Sequence, residues 1–105
     1  MVIIETSYFT KRITRLISDD DYRDFQLDLV DNPNMGKIIP GTGGLRKIRI
    51  AAKGHGKRGG ARVIYYFANA FDQIVMLYVF PKGDQSDLTA DQKKTLKHIV
   101  KEEYP

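Results

Sequence analysis

Apolar positions in the first third of the chain recur at helical spacing. The recurring positions, at i, i+4, i+7 and i+8, are Phe9, Ile13, Leu16 and Ile17. This spacing predicts an amphipathic helix, and the β-branched run at residues 1–5 predicts a short strand before it. Ser18 precedes three aspartates and is a typical N-cap, so we expect a second helix to begin there and to end near Asn32-Pro33.

Three stretches in the second half of the chain have the composition of β-strands. They span residues 45–51, 62–68 and 74–80. The first alternates, which places Arg46 on one face and the pair Lys47 and Arg49 on the other. The other two are apolar on both faces, as in central strands. Thr89 and Gln92 match a capping box and predict a final helix.

The order of these predicted elements is β-α-α-β-β-β-α. Helices followed by strands linked as hairpins are typical of α+β proteins. We therefore predict one domain over residues 1–105, in which an N-terminal helical hairpin packs on an antiparallel β-sheet and a C-terminal helix follows. A chain of this size buries about 60–68% of the surface that its unfolded form exposes, which is enough for a core.

Cysteine content and hydropathy exclude several classes of protein. The chain has no cysteine, which excludes disulfide scaffolds, thiol nucleophiles and Cys-ligated zinc. Its longest apolar run is the seven residues 74–80, well short of the roughly 18 needed to cross a bilayer. The N-terminus lacks the charged region and apolar core of a signal peptide. We expect a cytoplasmic protein with no membrane contact.

The formal net charge of +4 is unevenly distributed. Residues 32–71 contain eight Lys or Arg and no acidic residue, whereas the rest of the chain holds the other 9 basic residues against all 13 acids. The central stretch therefore carries +8 and the remainder −4. This asymmetry predicts a surface that faces a polyanion, with a solvated basic surface as the alternative.

Motifs for metal-dependent or covalent catalysis are absent from the sequence. Neither His55 nor His98 has a second histidine or a carboxylate at metal-ligand spacing, and both are expected to be solvated. GxSxG and HExxH do not occur, and the glycine cluster lacks the Ser or Thr of a Walker motif. The carboxylates concentrate in the second helix and the tail, which leaves no candidate pair for a hydrolase. We expect neither a metal nor a cofactor.

The remaining candidate for chemistry is the cationic strand-loop-strand. Lys47 and Arg49 leave the same strand face about 6.6–6.8 Å apart, close to the spacing of successive phosphates in a nucleic-acid strand. Arg62 begins the next strand, opposite the far end of the first. Further candidates for RNA contact are Lys53, Lys57, Arg58, Tyr65, Tyr66 and Phe67. Core packing is the stronger expectation for the three rings, since they lie in a central strand.

A basic cleft can cleave RNA without a metal, because the 2′-hydroxyl is a built-in nucleophile. The enzyme must align that hydroxyl with the phosphorus, stabilise the extra charge of the phosphorane and assist two proton transfers. Lysine and arginine supply the positive charge, and a lysine crowded by other cations can also serve as a base. A noncatalytic module that binds RNA or protein is the alternative.

Three segments carry a family resemblance: GTGGLRKIR, KGHGKRGGARVIYYF and PKGDQSDLTADQ. They resemble the RelE superfamily of bacterial toxins, most closely its HigB-type branch, over nearly the whole chain. The resemblance implies the toxin of a type II toxin-antitoxin pair, a metal-independent endoribonuclease that cuts messenger RNA in the ribosomal A site. It also implies a helix-turn-helix antitoxin of the HigA type, with the toxin either monomeric or in a hetero-oligomer with it.

The resemblance also implies roles for individual residues. Lys47 and Arg49 match the basic pair on the strand, with the lysine as candidate base. Arg62 matches the arginine that stabilises the phosphorane, and Lys82 matches the basic residue at the end of the last strand. The positions implied to contact RNA or the ribosome are Arg46, Lys53, Lys57, Arg58 and Tyr66.

The sequence departs from the family pattern at the position of the general acid. Many relatives have a tyrosine where this chain has Phe80, and RelE places one in the last segment, where this chain has Leu88 and Thr89. Lys82 or Arg62 is then the candidate general acid. The same fold also carries toxins that poison gyrase, so a noncatalytic toxin of that kind is the alternative function.

Overall fold

The computed structural model describes residues 1–51, 60–83, 85 and 87–105. Its strands and helices are β1 (Val2–Glu5), α1 (Ser7–Leu16), α2 (Asp19–Asp31), β2 (Lys37–Ile38), β3 (Leu45–Ile50), β4 (Ala61–Ala68), β5 (Gln73–Pro81) and α3 (Ala90–Glu103). The predicted α+β class and the order of the predicted elements are confirmed. The two-residue β2 and the 3-10 turn Asn69–Phe71 were not predicted, because elements this short show no periodicity.

The sheet has the strand order β1-β5-β4-β3-β2. Strands β2 to β5 pair antiparallel, but β1 pairs with β5 in parallel, so the prediction of an antiparallel sheet is wrong at this edge. The reason is topological, because the chain leaves β1 through the helical hairpin and enters the sheet again at the opposite edge. Apolar periodicity specifies which face of a strand is buried and not the direction of the neighbouring strand.

Both faces of the sheet are covered by apolar side chains. On one face, the helical hairpin packs Phe9, Ile13 and Leu29 against the sheet. On the other face, α3 contributes Leu96 and Val100 to a second cluster. This arrangement explains why β4 and β5 are apolar on both faces. Of the polar side chains of β3, Lys47 and Arg49 lie on the second face and Arg46 on the first.

Side-chain caps fix the helix starts. The hydroxyl of Ser18 accepts a hydrogen bond from the backbone N–H of Asp21 at 3.2 Å, and Thr89 and Gln92 form the reciprocal capping box of α3. Both N-caps are confirmed. Thr6 caps α1 and also donates to the carbonyl of Leu77 at 2.9 Å, which holds the start of α1 against β5.

The ring of Tyr65 lies in the core. Its side chain is 0% exposed, and its hydroxyl accepts from Gly36 N at 2.8 Å and donates to Pro33 O at 2.7 Å. Burial raises the pKa of this hydroxyl. Tyr65 therefore ties the loop after α2 to the sheet and takes no part in base stacking.

The glycine that precedes β4 is required by a close approach of two backbones. Gly60 has a φ of +67°, and a Cβ there would meet the carbonyl oxygen of Ile50 at 1.9 Å. Ala61, the next residue, pairs with Ile50 in the β3–β4 ladder. A side chain at position 60 would therefore force apart the strands that carry the predicted site.

We expect Gly60→Ala to lower the free energy of unfolding by about 1–3 kcal/mol, because it combines a positive φ with a backbone clash. Urea denaturation measures the change. Gly83→Ala is the matched control, since a Cβ at Gly83 meets nothing within 4 Å. Equal stability of the two variants would contradict the close approach.

Candidate functional site

The register of β3 and β4 brings three predicted cations to one face of the sheet. Arg49 lies directly opposite Arg62, and Lys47, two residues earlier on β3, lies opposite Ile64. Cβ atoms of directly opposed residues lie about 4.5–5.5 Å apart, and like charges in such positions repel. The sheet thus places two arginine residues opposite each other on neighbouring strands, at a cost in electrostatic energy. We refer to Lys47, Arg49 and Arg62 as the basic face.

Arg62 has a buried donor that lacks a partner among the described residues. Its side chain is half-buried, and its Nε atom makes no hydrogen bond within the described part of the chain. Phe80 pairs with Arg62 across the β4–β5 ladder and is 4% exposed. Buried polar atoms are nearly always hydrogen-bonded, so an unpaired guanidinium nitrogen beside a second cation is suited to an anionic ligand.

Lys47 forms an ion pair with Asp87. The distance between Lys47 Nζ and Asp87 Oδ2 is 2.9 Å, and the side chains are 27% and 40% exposed. The other oxygen, Oδ1, accepts from the backbone N–H of Leu88 at 2.8 Å. The hydrogen bond from Lys47 holds the pKa of Asp87 below its ordinary value and outweighs the opposing effect of burial.

Sequence reasoning missed Asp87, since it found no candidate catalytic pair among the carboxylates of the second helix and the tail. Asp87 is 40 residues from Lys47 in the sequence, so no spacing rule connects the two. The one available signal was its position between the last strand and the capping box at Thr89.

Arg46 lies apart from the basic face. It pairs with Tyr65 in the ladder, so its side chain leaves β3 on the side of the helical hairpin. One guanidinium nitrogen donates to the carbonyls of Gly36 at 2.7 Å and Asn34 at 3.1 Å, and the other donates to Asn34 Oδ1 at 3.0 Å. Arg46 therefore fastens the loop before β2 to β3.

Lys82 and Tyr66 lie at opposite ends of the basic face. Lys82 is exposed and directly follows Pro81, the last residue of β5. Pro81 pairs with Ala61, so Lys82 leaves the sheet beside the end of β4 at which Arg62 lies. Tyr66 is half-buried at the other end of β4, and its ring packs against that of Tyr104 with the centroids 5.7 Å apart.

Part of the predicted surface lies outside the described residues. The loop positions concerned are Lys53, His55, Lys57 and Arg58. His98 lies on α3 with its side chain 72% exposed, as predicted, and its Nε2 is 3.7 Å from Glu102. Among residues 1–51, 60–83, 85 and 87–105, no three His, Cys, Asp or Glu side chains are grouped to hold a metal ion. No helix in these same ranges is long and apolar enough to span a membrane.

The basic face can bind an extended chain of phosphates and stabilise added negative charge on one of them. Two opposed guanidinium groups offer several N–H donors to the oxygens of one phosphate, and Lys47 adds a cation one strand repeat away. Strand pairing fixes where these side chains leave the sheet, so their donors are near one another before charge develops. Electrostatic stabilisation of a phosphoryl intermediate is the chemistry that this arrangement supports.

Comparison with known proteins identifies a family and a fold. A family model described as "RelE toxin of RelE / RelB toxin-antitoxin system" matches residues 5–104. Among solved structures, the chain is similar to one in the intact E. coli RelBE toxin-antitoxin complex, with a TM-score of 0.60 and 14% sequence identity. The match covers 76% of this chain and 94% of that chain. The structural likeness confirms the predicted fold.

We expect Lys47→Met to raise the pKa of Asp87 towards its ordinary value, because the hydrogen bond from Lys47 is the largest cause of its depression. A ¹³C NMR titration of the carboxyl group measures the shift. A depressed pKa stabilises the fold above the unfolded-state value, and this stabilisation disappears as the pH falls through the folded-state value. In Lys47→Met this stabilisation should be smaller, and its loss should be complete at a higher pH, because the folded-state pKa lies closer to the unfolded-state value.

Lys93→Met is the matched control for this titration. Lys93 is the last of the causes that lower the pKa of Asp87, so its removal should move the titration much less. A larger shift in Lys93→Met than in Lys47→Met would show that the 2.9 Å pair does not form in solution.

Proposed function

The chain belongs to the RelE toxin family, and on that premise we propose that it is an endoribonuclease that cleaves translated messenger RNA in the ribosomal A site. The observation that carries the proposal is the opposed pair Arg49 and Arg62, in which the buried Nε of Arg62 has no partner in the described part of the chain. An unsatisfied guanidinium donor beside a second cation is costly in the free protein and favourable when a phosphate binds.

The proposed reaction uses the 2′-hydroxyl of the RNA as nucleophile. Lys47 first gives up one proton of its ammonium group to water, and the amine then accepts the proton of that hydroxyl while the 2′-oxygen bonds to phosphorus. Arg49 and Arg62 stabilise the added charge on the phosphorane. The bond to the 5′-oxygen then breaks, and Lys82 or Arg62 donates the proton that this oxygen takes up. The products are a 2′,3′-cyclic phosphate and a 5′-hydroxyl, and the reaction requires no metal.

The basic face supports RNA and the ribosome as partners, and membership of the RelE toxin family supports an antitoxin. RNA and the ribosome would contact the basic face together with Lys53, Lys57, Arg58 and Tyr66, whereas the predicted contact through Arg46 is dropped because its guanidinium lies on the other side of the sheet. An antitoxin of the helix-turn-helix, HigA-like type would neutralise the toxin in a hetero-oligomer, and complementary charge would speed their association. The proposal places this activity in the cytoplasm, where ribosomes translate messenger RNA.

We expect Arg62→Ala to reduce messenger cleavage about 10²–10³-fold, the usual loss when one donor to a developing oxyanion is removed. Sequencing of messenger 5′ ends after a short pulse of induction measures the cuts, which should fall inside translated frames in the unmodified chain. Arg23→Ala is the matched control, because Arg23 is an exposed arginine on α2, on the opposite side of the sheet from the basic face.

Two results would contradict the proposal. Unchanged cleavage by a folded Arg62→Ala variant would show that Arg62 takes no part in the reaction. DNA breaks and an SOS response without messenger cleavage would instead favour the alternative of a gyrase-poisoning toxin on the same fold.

A further inference from the structure

We propose that Asp87 is a positioning residue for Lys47: it orients the amine towards the RNA hydroxyl and stabilises the ammonium formed when Lys47 takes the proton. The inference rests on the proposed function, which names Lys47 as the base. A nucleophile, a base that contacts it and a third group that orients the base form a recurrent catalytic arrangement. Here the nucleophile belongs to the RNA, and the chain supplies the other two members.

The geometry of the amine allows both contacts at once. A neutral amine has two N–H bonds and one lone pair in tetrahedral directions around Nζ. One N–H can remain on Asp87 Oδ2, at 2.9 Å in the structure, while the lone pair accepts the proton of the 2′-hydroxyl. After the transfer, Lys47 is an ammonium beside an ionised carboxylate. The proton stays on Nζ and Asp87 stays ionised throughout.

Hydrogen bonds hold both the side chain and the backbone carbonyl of Asp87 in place. Its Oδ1 accepts from Leu88 N at 2.8 Å, and the Leu88 side chain is 6% exposed in the core beneath α3. The side-chain amide of Gln85 donates to the Asp87 carbonyl at 2.6 Å and to Gln92 Oε1 at 2.9 Å. The start of α3 thus fixes the position of the Asp87 carboxylate. The flexible side chain of Lys47 therefore has a partner whose position does not change.

A purely structural role does not account for the pair. Both side chains are partly exposed, at 27% and 40%, and ion pairs of that kind contribute little to stability. A carboxylate also repels RNA phosphates, so it weakens a surface whose only task is binding. Its place against Lys47 is explained when the lysine must hold one orientation during a proton transfer.

The test compares Asp87→Asn with the unmodified chain in ribosome-dependent cleavage of a defined messenger. We expect kcat to fall about 10–100-fold, part of the usual contribution of a positioned base, while KM stays unchanged or decreases. Asp87→Glu keeps the charge and should recover part of kcat. Asp91→Asn is the matched control, because it removes the same charge from the exposed first turn of α3.

A second measurement is independent of cleavage. NMR relaxation of the Lys47 ε-methylene group in the isolated chain should show greater mobility in Asp87→Asn than in Asp91→Asn. Equal mobility in the two variants would overturn the proposal whether or not the chain cleaves RNA. Equal kcat in Asp87→Asn and Asp91→Asn, with an active unmodified chain, would overturn it and leave the proposed function intact. Absence of cleavage by the unmodified chain would overturn the nuclease itself.

Discussion

The pairing register between β3 and β4 is the constraint on which the site depends. A slip of one residue would turn every side chain of β3 to the other face of the sheet and would carry Lys47 and Arg49 towards the helical hairpin. Leu45 and Ile50 oppose that slip, because both are buried and they belong to the cores on opposite faces. The hydrophobic energy of two cores therefore fixes the position of side chains that contribute nothing to either core.

That register also brings together groups that repel one another. Arg49 faces Arg62 across the ladder, and the Nε of Arg62 is buried without a partner among the described residues. Both features destabilise the free chain, and both become favourable when an anion binds. Most rules of local sequence and packing are obeyed elsewhere in the fold, as the capping box of α3 shows. A local violation surrounded by consistent structure is typical of a functional site.

Local signals in the sequence were sufficient to predict where the helices begin and which residues of β3 share the face of the site. Ser18 and Thr89 mark helix starts because capping depends on residues within one turn, and alternation along β3 separates Lys47 from Arg46. The sequence did not predict the parallel β1–β5 pair or the contact of Asp87 with Lys47, and the reason is the same for both. Each depends on a contact between segments far apart in the chain, and no period in the sequence records such a contact.

The C-terminal helix belongs to the site because it orients the side chain of Lys47, which the basic strands alone do not do. A hairpin of two strands fixes where Lys47 leaves the sheet, but its four-carbon side chain still has many rotamers. The capping box of α3 and the buried Leu88 fix the segment that carries Asp87, and the carboxylate in turn fixes the end of the lysine. The backbone of the sheet thus fixes the Cα of Lys47, and the segment at the start of α3 fixes its Nζ through Asp87. A conformational change that moved α3 away from the sheet would leave the arginine pair in place and release the lysine.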